Sequence, residues 1–246
     1  MMAPVSRFPM EFPSPITTHA HGQTLVIMAK APRPGMVKTR LTQSLPPTAV
    51  TALYRCLLED TLELARSLSG VEVAMMCPHS DVGELGSLAG DGVQVLAQRG
   101  EGLAAGLTSV FAHFAAGHRR VIAFNSDSPH LPASVLINAF QSLAQHDVVI
   151  GPTYDGGYYL VGAKAFHPTL FEGDGMGTAN ALELLRARAQ LLALSADFTD
   201  PFYDIDVASD LIRLADELRL APSRASRTAA WLEQWEQAMA LLRANM

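Results

Sequence analysis

The chain has 246 residues, of which 49% are hydrophobic and 17% are charged, so it can bury a core large enough for one α/β domain. Its formal net charge of −6 is unfavourable for binding nucleic acid or anionic membranes, and no basic run exceeds two residues. Two cysteines are too few for a disulfide framework, and no apolar stretch reaches the roughly 18 residues of a membrane span. We therefore expect a cytoplasmic protein whose partners include neither nucleic acid nor a membrane.

The first 22 residues contain four prolines and lack both hydrophobic periodicity and the continuous apolar core of a secretion signal. We interpret residues 1–22 as a flexible tail, or as start sequence that is partly misassigned. Residues 23–246 contain no repeat, no low-complexity linker and no sharp change in composition. This favours a single domain that includes a C-terminal helix.

Short apolar runs alternate with amphipathic segments along the chain. The runs predict strands at residues 24–29, 71–76, 93–97, 121–125, 147–151 and 158–162. The amphipathic segments predict helices at 48–68, 102–116, 132–145, 178–190, 207–219 and 226–244. Pro132 and Thr178 are candidate helix-start signals. This alternation predicts an α/β fold, a mostly parallel sheet flanked by helices, which binds ligands at the carboxyl ends of its strands.

The segment AKAPRPGMVKTRL begins where the first predicted strand ends. It contains four basic residues and no acidic one: Lys30, Arg33, Lys38 and Arg40. It is not a P-loop of the GxxxxGK[ST] type, because Val37 rather than glycine precedes Lys38, and its prolines offer no N–H to a phosphate. We therefore expect the side chains to bind an anion, while the prolines stiffen the loop and Gly35 lets it turn.

Two interpretations of this basic segment remain open. Two of the three lysines in the chain fall within it, and unit charges about 4 Å apart interact by roughly 4 kcal/mol at an effective dielectric constant near 20. A polyphosphate that neutralises the four charges is therefore a natural ligand. The alternative is a solvated loop in which Arg40 pairs with a nearby carboxylate.

Acidic residues mark two later segments. Asp127 lies in FNSDSPHLP, at the carboxyl end of the fourth predicted strand, and Asp204 and Asp206 lie in FYDIDVASDL, before a predicted helix. Each segment could instead supply a helix cap. Because Asp204 and Asp206 are two residues apart in an extended segment, they face the same way, which favours a shared partner. Mg²⁺ is commonly held by one or two carboxylates and substrate phosphates, so we predict Mg²⁺, or Mn²⁺ in its place, on Asp127 and Asp206.

The segment GPTYDGGYYLVG also has two interpretations. Gly156 and Gly157, which follow Asp155, permit a tight turn with positive φ and leave the backbone open to close approach by a ligand. A β-hairpin with an Asp-Gly turn explains the segment about equally well. In the first interpretation Gly156, Gly157 and Tyr158 contact substrate, and Asp155 is the candidate general base for a hydroxyl acceptor.

Taken together, these segments resemble a known family. AKAPRPGMVKTRL, QRGEGLAAGL, NSDSPHLP, GPTYDGGYYLVG, LFEGDGMGTANALELL and YDIDVASDL occur in the order found in the glycosyltransferase-A-like family labelled radical-SAM/selenodomain-associated transferase. That family is similar to the nucleotidyltransferases that make molybdopterin guanine dinucleotide and activate 2-phospholactate. The resemblance covers residues 24–218 and implies a nucleotide-diphospho-sugar transferase fold.

The resemblance implies a role for each matching residue. The basic loop would wrap the nucleotide and its phosphates, with Asp127 in the place of the metal-binding aspartate and Asp206 in the place of a late second ligand. The nucleotide-binding and phosphate-binding residues that it implies are Ala29, Lys30, Arg33, Gly35, Lys38, Arg40 and Gln98. The catalytic residues are then Lys38, Asp127 and Asp155. The chain departs from the family where the second substrate is expected, at Glu101, Leu103, Ala105 and near Met176.

The predicted function is metal-dependent transfer from a nucleotide or nucleotide sugar to a small-molecule acceptor. Nucleotidyl transfer would release pyrophosphate and glycosyl transfer would release a nucleoside diphosphate, and the sequence does not choose between them. The alternative from a different class is a non-catalytic nucleotide-binding or interaction module. The presence of both Asp127 and Asp206 argues against that alternative.

The remaining notable residues indicate no further site. The eight histidines are dispersed, and we interpret most of them as surface residues; Cys56 and Cys77 are interpreted as small hydrophobic residues. One stripe of the last predicted helix comprises Trp231, Trp235, Ala238 and Leu242. This stripe predicts packing on the parent domain or, alternatively, a dimer contact. We therefore expect a monomer or a homodimer.

Overall fold

The computed structural model describes residues 22–115 and 119–235. The apolar runs form one sheet, because most of their central residues are buried on both faces. Its strands are β1 (Gln23–Met28), β2 (Val71–Cys77), β3 (Gln94–Ala97), β4 (Arg120–Asn125), β5 (Val148–Pro152), β6 (Tyr158–Ala163) and β7 (Ala196–Phe198).

The strand order across the sheet is β3-β2-β1-β4-β6-β5-β7. β6 runs antiparallel to both of its neighbours, β4 and β5, and every other neighbouring pair is parallel. The predicted mostly parallel sheet is therefore confirmed. The carboxyl ends of β1, β2, β3, β4, β5 and β7 lie at one edge, where ligands bind in sheets of this kind.

The helices cover both faces of the sheet. They are α1 (Pro47–Arg66), α2 (Val82–Ala89), α3 (Gly102–Phe114), α4 (Ala133–Ser142), α5 (Ala181–Leu191), α6 (Ala208–Leu220) and α7 (Ser226–Gln234). α1, α2 and α4 pack on the face that contains Leu25 and Ile27, and α3 and α5 pack on the face that contains Val26. α6 and α7 pack on the outer side of α1 and form a third buried cluster with it.

Two elements were not predicted from the sequence. β7 has only three residues and none of them is fully buried, so it carries no apolar run. α2 has eight residues, including Gly83 and Gly86, which are poor helix formers. The predicted start of α5 is also wrong, since the helix begins at Ala181, and Thr178 Oγ1 instead accepts the Asn180 N–H in the turn before it.

The two ends of the chain are described only in part. Residues 1–21 of the predicted tail, and Ala238 and Leu242 of the predicted stripe, lie outside the described residues. Trp231 and Trp235 stack with ring centroids 5.4 Å apart and pack against the α1 and α6 cluster, so these two residues of the stripe lie on the domain. None of the described helices has the length and apolar character needed to cross a membrane.

Candidate functional site

Two segments with predicted site residues leave the sheet side by side. β1 and β4 are parallel neighbours, and Met28 at the end of β1 lies opposite Asn125 at the end of β4. The basic segment that follows β1 therefore starts beside the segment that carries Asp127. This is the arrangement that the parallel sheet predicts.

The segment before α6 joins this edge through backbone and side-chain hydrogen bonds. The Ile205 N–H donates to the Asp127 carbonyl at 3.1 Å, and Ser128 Oγ donates to the Tyr203 carbonyl at 3.1 Å. Asp127 and Asp206 are thus brought together although 78 other residues separate them in the chain. Neither of them caps a helix: Pro132 is the first flanking residue of α4, and Asp210 accepts the Asp206 and Val207 N–H groups before α6.

Asp81, a buried residue at the start of α2, fixes the first half of the basic segment. Its Oδ2 accepts the Ala31 N–H at 2.9 Å, and its Oδ1 accepts from Arg33 Nη1 and Ser80 Oγ, each at 2.8 Å. Arg33 also pairs with Glu84 at 3.0 Å. Burial would raise the pKa of the Asp81 carboxyl, but these hydrogen bonds and the Arg33 charge outweigh it and hold the pKa below its ordinary value. The Arg33 guanidinium therefore holds the loop against the start of α2.

Lys38 lies at the centre of the edge. Its side chain is only 6% exposed, and its Nζ is 2.7 Å from Asp127 Oδ2 and 3.8 Å from Asp206 Oδ1. Its backbone has φ 47°, in the left-handed region that residues other than glycine rarely adopt. Burial works to lower the pKa of the ammonium, but Asp127, with Asp204 and Asp206, outweighs burial and raises it. Lys38 is therefore a buried, charged link between the loop and the carboxylates.

Negative charge is concentrated around this ammonium. Arg40 Nη1 contacts Asp206 Oδ2 at 2.7 Å, so Lys38 and Arg40 both lie against Asp206. Burial first, and then the Asp127 and Asp155 charges, raise the pKa of the half-buried Asp204 to about 6, although Lys38 opposes this. The edge of the sheet thus holds more carboxylates than its two nearest cations neutralise.

Most of the positive charge in the basic segment is already paired with carboxylates, whereas the phosphate-binding interpretation assumed four unpaired cations. Three of the four cations in the basic segment have carboxylate partners supplied by other parts of the chain: Arg33, Lys38 and Arg40. The pairing of Arg40 that the solvated-loop interpretation expected is therefore present. Lys30 is exposed and has no ion-pair partner within residues 22–115 and 119–235. Gly35 has φ 72° and supplies the predicted turn.

The segment after β5 forms the predicted β-hairpin. Thr153 N–H donates to the Gly157 carbonyl at 3.0 Å, and Asp155 Oδ1 accepts from both Thr153 Oγ1 and the Gly157 N–H. Gly156 has φ 89°, and a Cβ there would lie 2.1 Å from the Ala179 carbonyl oxygen, so the turn requires glycine at this position. The hairpin leaves Asp155 exposed, and its charge contributes to the raised pKa of Asp204. The two interpretations of this segment are therefore compatible.

Three other predicted residues shape the walls of the edge. The buried Ala29 continues β1 by donating its N–H to the Met76 carbonyl at 3.1 Å. Gln98 Nε2 donates to the Gly100 carbonyl at 2.9 Å and so folds the loop after β3. Tyr158 Oη donates to the Met176 carbonyl at 2.9 Å, which ties β6 to the glycine-rich segment before α5. These contacts therefore hold the chain after β1, the loop after β3 and the segment before α5 in place.

Sequence reasoning missed the residues that hold the site from behind. Asp81 anchors the basic loop, and Tyr54 and Ser126 lie between that loop and Asp127. Asp81 lies at a helix start, Tyr54 in the buried face of a helix and Ser126 just after a strand, and all three positions are common for these residue types. Only their long-range contacts reveal their role. Among the histidines, His130 is an exception to the predicted surface location of most of them, since it is completely buried.

The side chains at this edge offer oxygen atoms of the kind that divalent cations bind. Asp127, Asp204 and Asp206 offer carboxylate oxygens, the ligands that Mg²⁺ and Mn²⁺ prefer, and Lys38 and Arg40 are the cations that pair with them. The described part of the chain contains no group of three His, Cys, Asp or Glu side chains arranged to hold a metal ion. Oxygen atoms from a bound phosphate would have to complete the coordination, as is usual for Mg²⁺.

Comparisons with known proteins identify the fold. A family described as "Uncharacterized protein conserved in bacteria (DUF2064)" matches residues 61–178, slightly less than half of the chain. No curated protein shows significant sequence similarity to this chain.

Solved structures match most of the chain. A protein from Desulfovibrio desulfuricans G20, provisionally described as a nucleotide-diphospho-sugar transferase, superposes with a TM-score of 0.83 at 26% identity, over 90% of this chain and 98% of the other. A 4-diphosphocytidyl-2C-methyl-D-erythritol synthase from Anaerococcus prevotii DSM 20548 gives 0.57 at 10% identity, over 81% and 97%. A nucleotidyl transferase from Methanothermobacter thermautotrophicus gives 0.55 at 21% identity, over 81% and 99%. The chain therefore has the predicted nucleotide-diphospho-sugar transferase fold.

Proposed function

We propose that this protein is a divalent-metal-dependent transferase that uses a nucleotide or nucleotide sugar and a small-molecule acceptor. The observation that carries the proposal is the buried Lys38 ammonium, held 2.7 Å from Asp127 and beside Asp206 at the carboxyl edge of the sheet. This edge is where open α/β sheets bind ligands. A lysine with a strained backbone and two aspartates at one point is an arrangement suited to phosphate and metal together.

The basic loop would bind the phosphates of the nucleotide. Lys30 is exposed at the start of the loop, and Lys38 and Arg40 lie at its end, so a polyphosphate along the loop would contact positive charge at both ends. These side chains would offset the negative charge that develops on phosphate oxygens in the transition state. The backbone at Gly35 leaves the turn open for close approach.

Asp127 and Asp206 are the residues that would hold Mg²⁺ or Mn²⁺. When bound, the cation would supply positive charge that offsets the negative charge of the phosphates, a contribution that the side chains alone do not supply. Asp155, exposed on the hairpin turn, would accept the proton of a hydroxyl acceptor, whereas a phosphate acceptor would need no base. Gly156, Gly157 and Tyr158 would then border the acceptor.

Two reactions fit this arrangement. In nucleotidyl transfer the acceptor oxygen attacks the α-phosphate of a nucleoside triphosphate and pyrophosphate leaves. In glycosyl transfer the acceptor oxygen attacks the anomeric carbon of a nucleotide sugar and a nucleoside diphosphate leaves. The similar protein from Methanothermobacter is described as a nucleotidyl transferase, which makes pyrophosphate the first product to measure.

Product release tests the proposal. The protein would be incubated with Mg²⁺ and each common nucleoside triphosphate, and separately with nucleotide sugars, in a pool of phosphorylated and hydroxylated metabolites. We expect one of the two products to form, and Asp127→Asn to reduce its rate by at least about a hundredfold, because the charge that holds the metal is lost.

The matched control is Asp147→Asn. Asp147 is also a partly exposed aspartate that pairs with a lysine, Lys164, at 3.3 Å, but it precedes β5 and so lies at the opposite edge of the sheet. Its loss should leave the rate unchanged. An Asp127→Asn protein as active as the parent would contradict the assigned site, and nucleotide binding without either product would favour the non-catalytic module.

A further inference from the structure

Tyr54 connects the core of the protein to the proposed site. It lies on α1, is almost completely buried and packs in the cluster beneath the sheet. Its ring has the environment of an ordinary core residue, but its hydroxyl reaches the carboxyl edge. There it lies 3.2 Å from the Lys30 backbone nitrogen and 3.0 Å from Ser126 Oγ.

The hydrogen bonds at Tyr54 form a chain with one direction. The Lys30 N–H can only donate, so the Tyr54 oxygen accepts from it. Ser126 Oγ lies 3.2 Å from Asp127 Oδ1, and an ionised carboxylate can only accept, so the serine gives its single proton to Asp127. Tyr54 must therefore donate to Ser126. The order from donor to acceptor is Lys30 N–H, Tyr54, Ser126 and Asp127.

Both oxygens of the Asp127 carboxylate are thereby tied to the same loop. Oδ1 is linked through Ser126 and Tyr54 to Lys30 at the start of the loop, and Oδ2 contacts Lys38 near its end. A displacement of the loop start would break the chain that fixes Oδ1, and rotation of the carboxylate would break it from the other end. Such a chain resists displacement because breaking one hydrogen bond leaves a buried donor or acceptor without a partner, which is energetically unfavourable.

We propose that Tyr54 is a positioning residue that couples the phosphate loop to Asp127, so that a nucleotide in the loop and a cation on Asp127 strengthen each other's binding. The inference rests on the proposed function, because it assigns phosphate to the loop and metal to Asp127. Tyr54 itself contacts neither group in this scheme. Its contribution is the fixed orientation of the carboxylate relative to the loop.

The test compares Tyr54→Phe with Tyr159→Phe. Both variants lose one hydroxyl from a buried ring with two hydrogen-bond partners, since Tyr159 Oη contacts Thr199 Oγ1 at 2.5 Å and the Asp200 carbonyl at 3.0 Å. The affinity for ATP, GTP, CTP and UTP would be measured by calorimetry with Mn²⁺ and again with a metal chelator. The ratio of the two affinities measures the coupling between nucleotide and metal.

We expect Mn²⁺ to raise the affinity of the parent for one of these nucleotides by at least about tenfold, within the usual range of coupling between sites. Tyr54→Phe should lose most of this ratio while its affinity without metal changes little, and Tyr159→Phe should keep it. Ser126→Ala interrupts the same chain one step later and should give the same loss, which provides the test if Tyr54→Phe does not fold.

The possible failures are distinguishable. A parent protein that binds none of the four nucleotides in either buffer contradicts this inference and the nucleotidyl-transfer form of the proposed function, whereas glycosyl transfer is tested separately by the release of nucleoside diphosphate. A parent with strong coupling that persists in Tyr54→Phe or in Ser126→Ala overturns only the role of Tyr54. An equal loss of coupling in Tyr159→Phe would also overturn it, because the effect would then reflect general loosening of the fold.

Discussion

Lys38 combines a strained backbone with a buried charge. It and Ala193 are the only residues other than glycine with positive φ in the described ranges, and this conformation is unfavourable by about 1–3 kcal/mol. Glycine at this position would relieve the strain but would remove the ammonium that contacts Asp127 and Asp206. The geometry is therefore maintained by the contacts of the side chain, as is common at functional sites.

His130 provides a test of stability at the residue scale. Its ring lies 4.6 Å from the Tyr203 ring and 4.8 Å from the Phe202 ring, and within the described structure neither ring nitrogen has a hydrogen-bond partner. Burial, together with the Arg213 and Arg224 charges, lowers the pKa of this imidazole to about 3. Below its ordinary pKa of about 6.5, the unfolded chain therefore binds a proton that the folded chain excludes.

The resulting prediction concerns acid stability. His130 should reduce the unfolding free energy by about 1.4 kcal/mol for each pH unit as pH falls from about 6.5 towards 3. His130→Phe keeps an aromatic ring in the same cluster but cannot bind a proton, so urea denaturation at several pH values should show a shallower acid slope. The exposed His113 supplies the control, and His113→Gln should keep the parent slope. Equal slopes for the parent and His130→Phe would show that the ring is protonated in the folded protein.

The residues of the site differ in how far the sequence reveals them. Lys38 and Asp127 could be chosen because each lies in a polar segment that follows a strand of a predominantly parallel sheet, where such segments must converge. Asp206 could be chosen because it lies two residues after Asp204 in an extended segment before a helix. Asp81 and Tyr54 could not, because their function depends on contacts with residues 24 to 50 positions away. The pairing of Arg33 was missed for the same reason, since its partner Asp81 comes from a distant segment, whereas the pairing of Arg40 was one of the two interpretations of the basic loop.

At the scale of elements, α7 depends on a carboxylate from another helix. The residue before α7 is Ala225, and within the described chain no side chain of α7 itself caps the helix. Asp60 on α1, whose side chain is 2% exposed, accepts the Arg227 N–H at 3.1 Å and the Thr228 N–H at 2.8 Å, and Thr228 Oγ1 donates to it at 2.7 Å. A single buried side chain therefore performs the role of a helix cap across 167 residues.

Asp60→Ala should lower the unfolding free energy by about 2–4 kcal/mol, because it leaves buried N–H groups of α7 without acceptors. The control is Glu63→Ala, which removes a more exposed partner of the same Arg227 and should be destabilising by less than about 1 kcal/mol. Urea denaturation measures both values. Similar losses from the two substitutions would contradict the capping role of Asp60, and neither should affect nucleotide affinity.

Elements were predictable where the sequence pattern is long. α1 and the apolar strands were found because their periodicity extends over several turns or fills a whole strand. β7 was not found because its three residues pair with β5 through backbone contacts that leave no apolar pattern. α2 is short and contains two glycines, so its helical structure depends on packing against the cluster of α1 and the sheet.

At the scale of the whole molecule, the strand order could not be read from the pattern of runs. The sequence of a continuous apolar strand does not indicate the direction of that strand. The short turn at Gly156 and Gly157 brings the chain back beside β5, so β6 lies antiparallel between β4 and β5. The similarity to the Desulfovibrio protein extends over nearly the whole length of that protein. The fold class was therefore predictable, whereas the detailed topology required tertiary pairing.

At the scale of the whole molecule we also propose that the edge containing Lys38, Asp127 and Asp206 binds a nucleotide together with a divalent cation. The most direct test is the melting temperature with common nucleoside triphosphates and nucleotide sugars, each with Mg²⁺ or Mn²⁺ and with each component alone. Ligand at about 100 times its dissociation constant adds about 2.7 kcal/mol, which corresponds to a rise of roughly 5–10 °C for a chain of this size.

We expect one nucleotide to give this rise with metal, and a smaller rise without it. Lys38→Ala should lose most of the rise, whereas Lys164→Ala should keep it, because Lys164 pairs with Asp147 at the opposite edge of the sheet. No rise with any nucleotide or nucleotide sugar at millimolar concentration, or an equal loss in the two lysine variants, would contradict the assignment of this edge as the nucleotide site.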